Sequence, residues 1–149
     1  MSSVRHVLHA SDLSPASRRA FRTAVGLATS LDAKLTIAYV LAPMVPTVPD
    51  QYIDAATLDR FDRQARQWAG RQLDRLASAA RKRGVKGVAA LLLDGDPVEQ
   101  IVRAARANSA DLIVMGTHGR RGLPKFFLGS VAERVVSRAS CPVVTVRGG

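Results

Sequence analysis

The chain has a single cysteine, Cys141, in 149 residues. One thiol cannot close an intrachain disulfide, so the fold must rest on its core alone, and a reducing, cytoplasmic setting is expected. No segment approaches the roughly 18 apolar residues of a membrane span. The start, MSSVRHVLHASDLS, lacks the apolar run of a signal peptide. Acids are scarce too: 12 Asp and Glu stand against 22 Lys and Arg, a net charge of +10. Such an excess draws anions toward the surface but says nothing about the fold. Repeats, low-complexity tracts and linkers are also missing, so residues 1–149 read as one domain, a length able to bury a core unaided. What is present is ordinary for a globular protein: 47% hydrophobic and 23% charged residues.

Apolar runs alternate with amphipathic stretches. Val4 to Ala10 reads as a strand, and Ser14-Pro15 as a cap with a first-turn proline. Phe21, Ala24, Val25 and Ala28 follow at helical spacing. Leu35 to Val40 is a second strand, and Pro43, Pro46 and Pro49 mark a loop. A long helix comes next, with Phe61, Ala65, Trp68, Leu76 and Ala80 on its apolar side and Gly84 at its end. Its other side mixes Arg60, Arg63, Arg66, Arg71 and Arg75 with Asp59, Asp62 and Asp74, the pattern of a solvated face rather than a nucleic-acid stripe. Val85 to Leu93 is a third strand. Asp96-Pro97-Val98-Glu99 opens a helix, with Val98, Ile101, Val102 and Ala105 facing inward. Asp111 to Met115, a helix around Val131 to Val136, and Pro142 to Val146 complete a βαβαβαβαβ order. Apolar strands separated by helices predict a parallel sheet covered on both faces.

The chemistry concentrates after the fourth strand, in MGTHGRRGLPKFFLGSVAERV. Gly116, Gly119, Gly122 and Gly129 allow tight turns and close approach of backbone to a ligand. Arg120, Arg121 and Lys125 supply cations with no acid between Gly116 and Ser130. Gly129-Ser130 then opens a helix, whose free N–H groups favour an anion. These features point to a phosphate-bearing ligand. A rival reading stays open: Ser130 and Glu133 spell a capping box, S-V-A-E, which would occupy the same N–H groups. The chain contains neither a GxxxxGK[ST] P-loop nor a GxGxxG after the first strand.

The spacing Gly116-x2-Gly119-x9-Gly129-Ser130 resembles the nucleotide-binding signature of universal stress proteins. The likeness extends to ASDLSPAS, DGDPVEQI, DLIVMGTHGRRG, LGSVAERVV and the closing CPVVTV. It implies an open five-stranded parallel sheet in order 3-2-1-4-5, a Rossmann-like α/β fold akin to the adenine nucleotide alpha hydrolases. In such sheets ligands bind beyond the carboxyl ends of strands where the order reverses, here between strands 1 and 4. The resemblance implies ATP as ligand. Ala10, Ser11 and Asp12 would line its ribose and phosphate side, with Asp12 helping to hold Mg²⁺. The Val40 backbone would recognise adenine, and Met115 and Gly116 would pack on the ribose and phosphates. Gly119, Gly129, Ser130 and Val131 would cradle phosphate, with Arg120 adding attraction. Ala10 stands where some ATP-binding relatives have proline. The resemblance further implies a homodimer through the last strand, Pro142 to Val146.

Other residues read more plainly. Asp12 also suits a turn or cap. His118 reads as a solvent-facing loop residue. His6 and His9, three apart on a strand, fall on opposite faces and make no metal pair. Cys141 and Trp68 read as structural. The expected function is that of an ATP-dependent regulatory module with protein partners, not of an enzyme. The alternative is a slow ATPase or phosphotransferase, for which only Asp12 and His118 are candidates. Nucleic-acid binding rests on net charge alone, with no recognisable module behind it.

Overall fold

The computed structural model describes residues 3–43, 53–117 and 128–148. Its strands are β1 (His6–Ala10), β2 (Lys34–Leu41), β3 (Val88–Asp94), β4 (Leu112–Gly116) and β5 (Val143–Val146). They form one parallel sheet in order β3-β2-β1-β4-β5. Between them run α1 (Arg18–Ser30), α2 (Ala55–Lys82), α3 (Pro97–Ala107) and α4 (Ser130–Arg138), with a single 3-10 turn over Pro15–Ser17. The expected architecture and strand order are both present.

Side chains alternate across the sheet, so each face has its own core. Val7, Leu35, Ile37 and Val114 pack under α1 and α2, against Phe21, Val25 and Leu73. Leu8, Ala38, Ile113 and Met115 pack under α3 and α4, against Val98, Ile101 and Val135. The carboxylate of Asp111 accepts from the N–H groups of Arg5 (2.8 Å) and His6 (3.0 Å), tying the entrance of β4 to that of β1.

Several boundaries differ from the sequence expectation. β1 starts at His6 rather than Val4, and β3 at Val88 rather than Val85. Val85 belongs to the end of α2. Gly84 has φ +102° and donates to Arg81, while Val85 donates to Ala80, which makes a Schellman motif with a buried valine after the glycine. Phe61 and Trp68 are not core: they are 45% and 39% exposed. The buried stripe of α2 is Ala69, Leu73, Ala77 and Ala80. At 28 residues the helix is about 42 Å long, and the half before Ala69 buries nothing fully. Arg66 ties that half to the sheet by pairing with Asp62 (2.9 Å) and with Asp94 at the end of β3. Arg66 also holds the Asp94 carboxyl below its ordinary range, chiefly through the hydrogen bond.

α3 begins as expected. Asp96 accepts from the Glu99 N–H at 2.9 Å, with Pro97 at the first helical position. Asp96→Ala is expected to cost about 1 kcal/mol, read as a lowered urea midpoint.

Candidate functional site

Where the strand order reverses, β1 and β4 send their following loops to opposite sides and leave a crevice between them. A cavity of about 510 Å³ fills it, within the range of small-molecule sites. Ala10, Ser11 and Asp12 enter from β1, and Met115, Gly116 and Thr117 from β4. β2 contributes Ala38, Tyr39 and Val40, and α3 contributes Pro97 and Ile101. Gly129, Ser130, Val131 and Ala132, at the start of α4, close the wall. Nine of the residues singled out in the sequence therefore meet around one space: Ala10, Ser11, Asp12, Val40, Met115, Gly116, Gly129, Ser130 and Val131. Gly119 and Arg120, together with His118, Arg121, Gly122 and Lys125, lie outside the described residues.

The start of α4 departs from the capping-box reading. Gly129, not Ser130, is the cap residue (φ −62°, ψ 154°), and no side chain among the described residues caps the helix. Ser130 is the first helical residue, so its hydroxyl is one position too far along for the box. The first intrahelical bond runs from the Glu133 N–H to the Gly129 carbonyl at 2.9 Å. The amides of Ser130, Val131 and Ala132 thus lack an acceptor within the helix, at the wall of the cavity. Gly129 itself donates to the Thr117 carbonyl, locking the helix entrance onto the end of β4.

At the opposite side, β2 outruns β1. The Ser11 N–H donates to the Ala38 carbonyl at 2.9 Å, and β1 has ended at Ala10. In a parallel strand every second residue faces the same neighbour. Val40 therefore turns its N–H and C=O toward the side where β1 no longer runs, while β2 stays paired to β3 through Leu41↔Asp94. Backbone groups so placed need a partner from water or a ligand. Around them the wall is apolar: Ala38, Pro97 and Ile101.

Between these ends lies the Asp12 turn. Asp12 Oδ1 accepts from the Ser14 N–H (2.9 Å) and from the hydroxyls of Ser14 and Ser17. The Ser11 hydroxyl oxygen accepts from the Leu13 N–H at 3.0 Å. These bonds hold Leu13 at φ 61°, a left-handed conformation costing a non-glycine residue about 1–2 kcal/mol. Asp12 is therefore both a turn residue and a wall of the cavity. Among the described residues no group of three or more His, Cys, Asp or Glu gathers to hold a metal. A cation beside Asp12 would need oxygens from the ligand itself to complete its shell.

The histidines stay apart, as expected. His6 contacts Thr36 through Nε2 (2.6 Å) and the Asn108 carbonyl through Nδ1 (2.8 Å). His9 is fully buried, its ring 5.9 Å from that of Phe21. Its Nδ1 lies 3.0 Å from the Val114 carbonyl, so Nδ1 carries the hydrogen and Nε2 a lone pair, which has no partner among the described residues. Burial pushes its pKa down to about 4, against smaller upward pulls from Val114 and Asp12. Cys141 is half-buried against the α3/α4 core, and burial raises its thiol pKa, which disfavours the reactive thiolate. No helix among the described residues is long and apolar enough to cross a membrane.

Sequence reasoning missed Ser17, Ala38, Tyr39, Pro97, Ile101, Thr117 and Ala132 as lining residues. Ile101 was legible as part of the inward face of α3 and Pro97 as its first-turn proline, but neither as facing a cavity. Thr117 simply follows Gly116.

Comparison with known proteins identifies the family and the fold. The sequence model described as the universal stress protein family matches residues 3–147. A universal stress protein of Thermus aquaticus is 35% identical over 141 residues, covering 95% of this chain and 97% of its own. Among solved structures, a universal stress protein in complex with cAMP is 27% identical with a TM-score of 0.72, covering 99% of this chain and 100% of that one. The Lactobacillus plantarum protein UspA, at 24% identity, shares the fold with a TM-score of 0.83 over 99% of this chain and 100% of its own.

Proposed function

Because the chain belongs to the universal stress protein family, we propose that its switch-point cavity binds an adenine nucleotide, ATP, and that occupancy regulates what the surface offers to protein partners. The observation that carries this reading is the pairing, at opposite ends of one cavity, of two backbone sites that lack a regular secondary-structure partner among the described residues. The uncapped start of α4 offers amides and the positive end of a helix dipole to phosphate. The Val40 backbone offers one donor and one acceptor, framed by the apolar Ala38, Pro97 and Ile101, to the edge of a purine. Met115 and Gly116 lie between them, where ribose would pack, and Ala10, Ser11 and Asp12 form the facing wall. Gly119 and Arg120 would extend the phosphate cradle, and the net charge of +10 would draw the polyanion in. The relative solved with cAMP gives the same ligand class on a chain aligned end to end with this one.

A holding role fits better than a cutting one. Hydrolysis needs a base or a group that orients water. Of the two candidates for that part, Asp12 Oδ1 already accepts from Ser14 and Ser17, and His118 lies outside the described residues. Mg²⁺ would sit between Asp12 and the phosphates. The proposal is tested by denaturing freshly purified protein and identifying released small molecules by mass spectrometry. Adenine nucleotide in near one-to-one amount supports it, and none sinks it. ADP accumulating from added ATP, and lost in Asp12→Ala, would favour the ATPase or phosphotransferase reading instead.

The reading includes one domain over residues 1–149, a cytoplasmic setting and a homodimer through the edge strand β5. Pro142 and Val146 direct their carbonyls to β4, accepting from Ile113 (3.0 Å) and Thr117 (2.9 Å). Val143 and Thr145, out of phase with them, turn their N–H groups to the open edge, where a second β5 would pair. Thr145→Pro removes one such donor without touching β4. Light scattering should then report a monomer where the parent is a dimer; a dimer in both would place the contact elsewhere.

A further inference from the structure

Behind the Asp12 turn, on the α1/α2 side of the sheet, lies a second cavity of about 220 Å³. Leu13, Phe21 and Leu76 give it an apolar lining, and Arg18 and Arg75 bring two cations. Neither arginine has a carboxylate within ion-pair distance among the described residues, whereas Arg66 has two and Lys86 and Arg103 have one each. Among the described residues no acid lines the cavity. Its volume is less than half that of the switch-point cavity, too small to accept the same ligand.

The chemistry of the walls narrows the occupant. The Ser14 and Ser17 hydroxyls donate to Asp12, so their hydrogens are spent, and the guanidinium groups are the charged donors that remain. Guanidinium binds carboxylate through two parallel hydrogen bonds. The apolar surface beneath, with the Phe21 ring in it, rewards a body that sheds water. We propose that this cavity binds a small aromatic carboxylate, its charge on Arg18 and Arg75 and its ring against Leu13, Phe21 and Leu76.

The site is placed to talk to the first one. Ser11 and Ser17 line both cavities, and Ser14, in the second, donates to Asp12, in the first. A ligand that shifts Ser14 or Ser17 shifts the bonds holding Asp12, so the two sites are coupled, reciprocally. This coupling rests on the nucleotide reading of the first cavity; the carboxylate site does not.

The test uses benzoate, titrated into nucleotide-free protein by calorimetry and by amide NMR. Saturable binding is expected, with shifts at Leu13, Phe21 and Leu76. Benzyl alcohol, which lacks the charge, and Arg75→Gln, which lacks one cation, should each weaken binding by about tenfold. Arg75→Gln should leave the thermal midpoint and ATP affinity of the protein unchanged. No saturation, equal binding of benzyl alcohol, or parent-like binding by Arg75→Gln would overturn the site. Saturating benzoate should change the ATP dissociation constant by about fivefold or more in the parent, and in Arg75→Gln only at about tenfold higher benzoate; a constant unchanged in the parent overturns the coupling alone. Failure of ATP to bind would count against the nucleotide reading and leave the benzoate result standing.

Discussion

Gly129→Val is expected to lower ATP affinity about a hundredfold while leaving the fold in place. At φ −62° and ψ 154° the Gly129 backbone is open to any residue, so the chain does not need glycine there for its own conformation. What it needs is space: Gly129 is buried at the helix entrance and walls the cavity. A branched side chain there would stand between a phosphate oxygen and the amides of Ser130 and Val131. Losing two charge-assisted hydrogen bonds at about 1.5 kcal/mol each removes about 3 kcal/mol of binding, which is about a hundredfold. Gly116→Val should act in the same direction, since Gly116 closes β4 opposite Val146, where valine suits the strand. Calorimetry gives the affinity, and circular dichroism shows whether the helices survive. Parent-like affinity in both variants would mean that phosphate does not approach α4.

The second large effect is on stability and comes from His9. Its folded-state pKa, about 4, lies below the ordinary 6.5 because burial opposes the charged ring. Between these values the unfolded chain binds a proton that the folded chain refuses. Stability therefore rises with pH across that window and is lost as pH falls from 6.5 toward 4. At about 1.4 kcal/mol per pH unit, the fall amounts to about 3 kcal/mol. His9→Asn keeps a donor for the Val114 carbonyl without a titrating ring, so its stability should vary less over that range, even if its plateau is lower. Urea unfolding at pH 7, 5.5 and 4.5 checks this; parallel curves for parent and variant would remove His9 as the source.

Much of the fold was legible because its strands are mainly apolar and two helical starts are marked by a cap followed by proline, Ser14-Pro15 and Asp96-Pro97. The failures have physical causes. Val85 looks like the start of a strand because it is apolar, yet it is buried as the residue after a Schellman glycine, at the close of α2. Phe61 and Trp68 have core-like size and spacing, but α2 approaches the sheet on Ala69, Leu73, Ala77 and Ala80, and its first half carries no fully buried residue. The strand order is not written in periodicity at all, and came with the family resemblance.

The site was half legible. Glycine spacing and the helix after Gly129 pointed to α4, but the S-V-A-E box could not be dismissed until Gly129 proved to be the cap residue. No local pattern marks Val40. Its role depends on β1 ending at Ala10 while β2 continues to Leu41, a difference between two strands that only their pairing reveals.

In the proposed function one cavity binds ATP by the open start of α4 and the open edge of β2. The most direct measurement is a calorimetric titration of ATP into nucleotide-free protein. The account predicts saturable binding at one site per chain, competed by other adenine nucleotides and weakened about tenfold or more when the phosphates are removed, as in adenosine. Absence of binding, or adenosine binding as tightly as ATP, would contradict it.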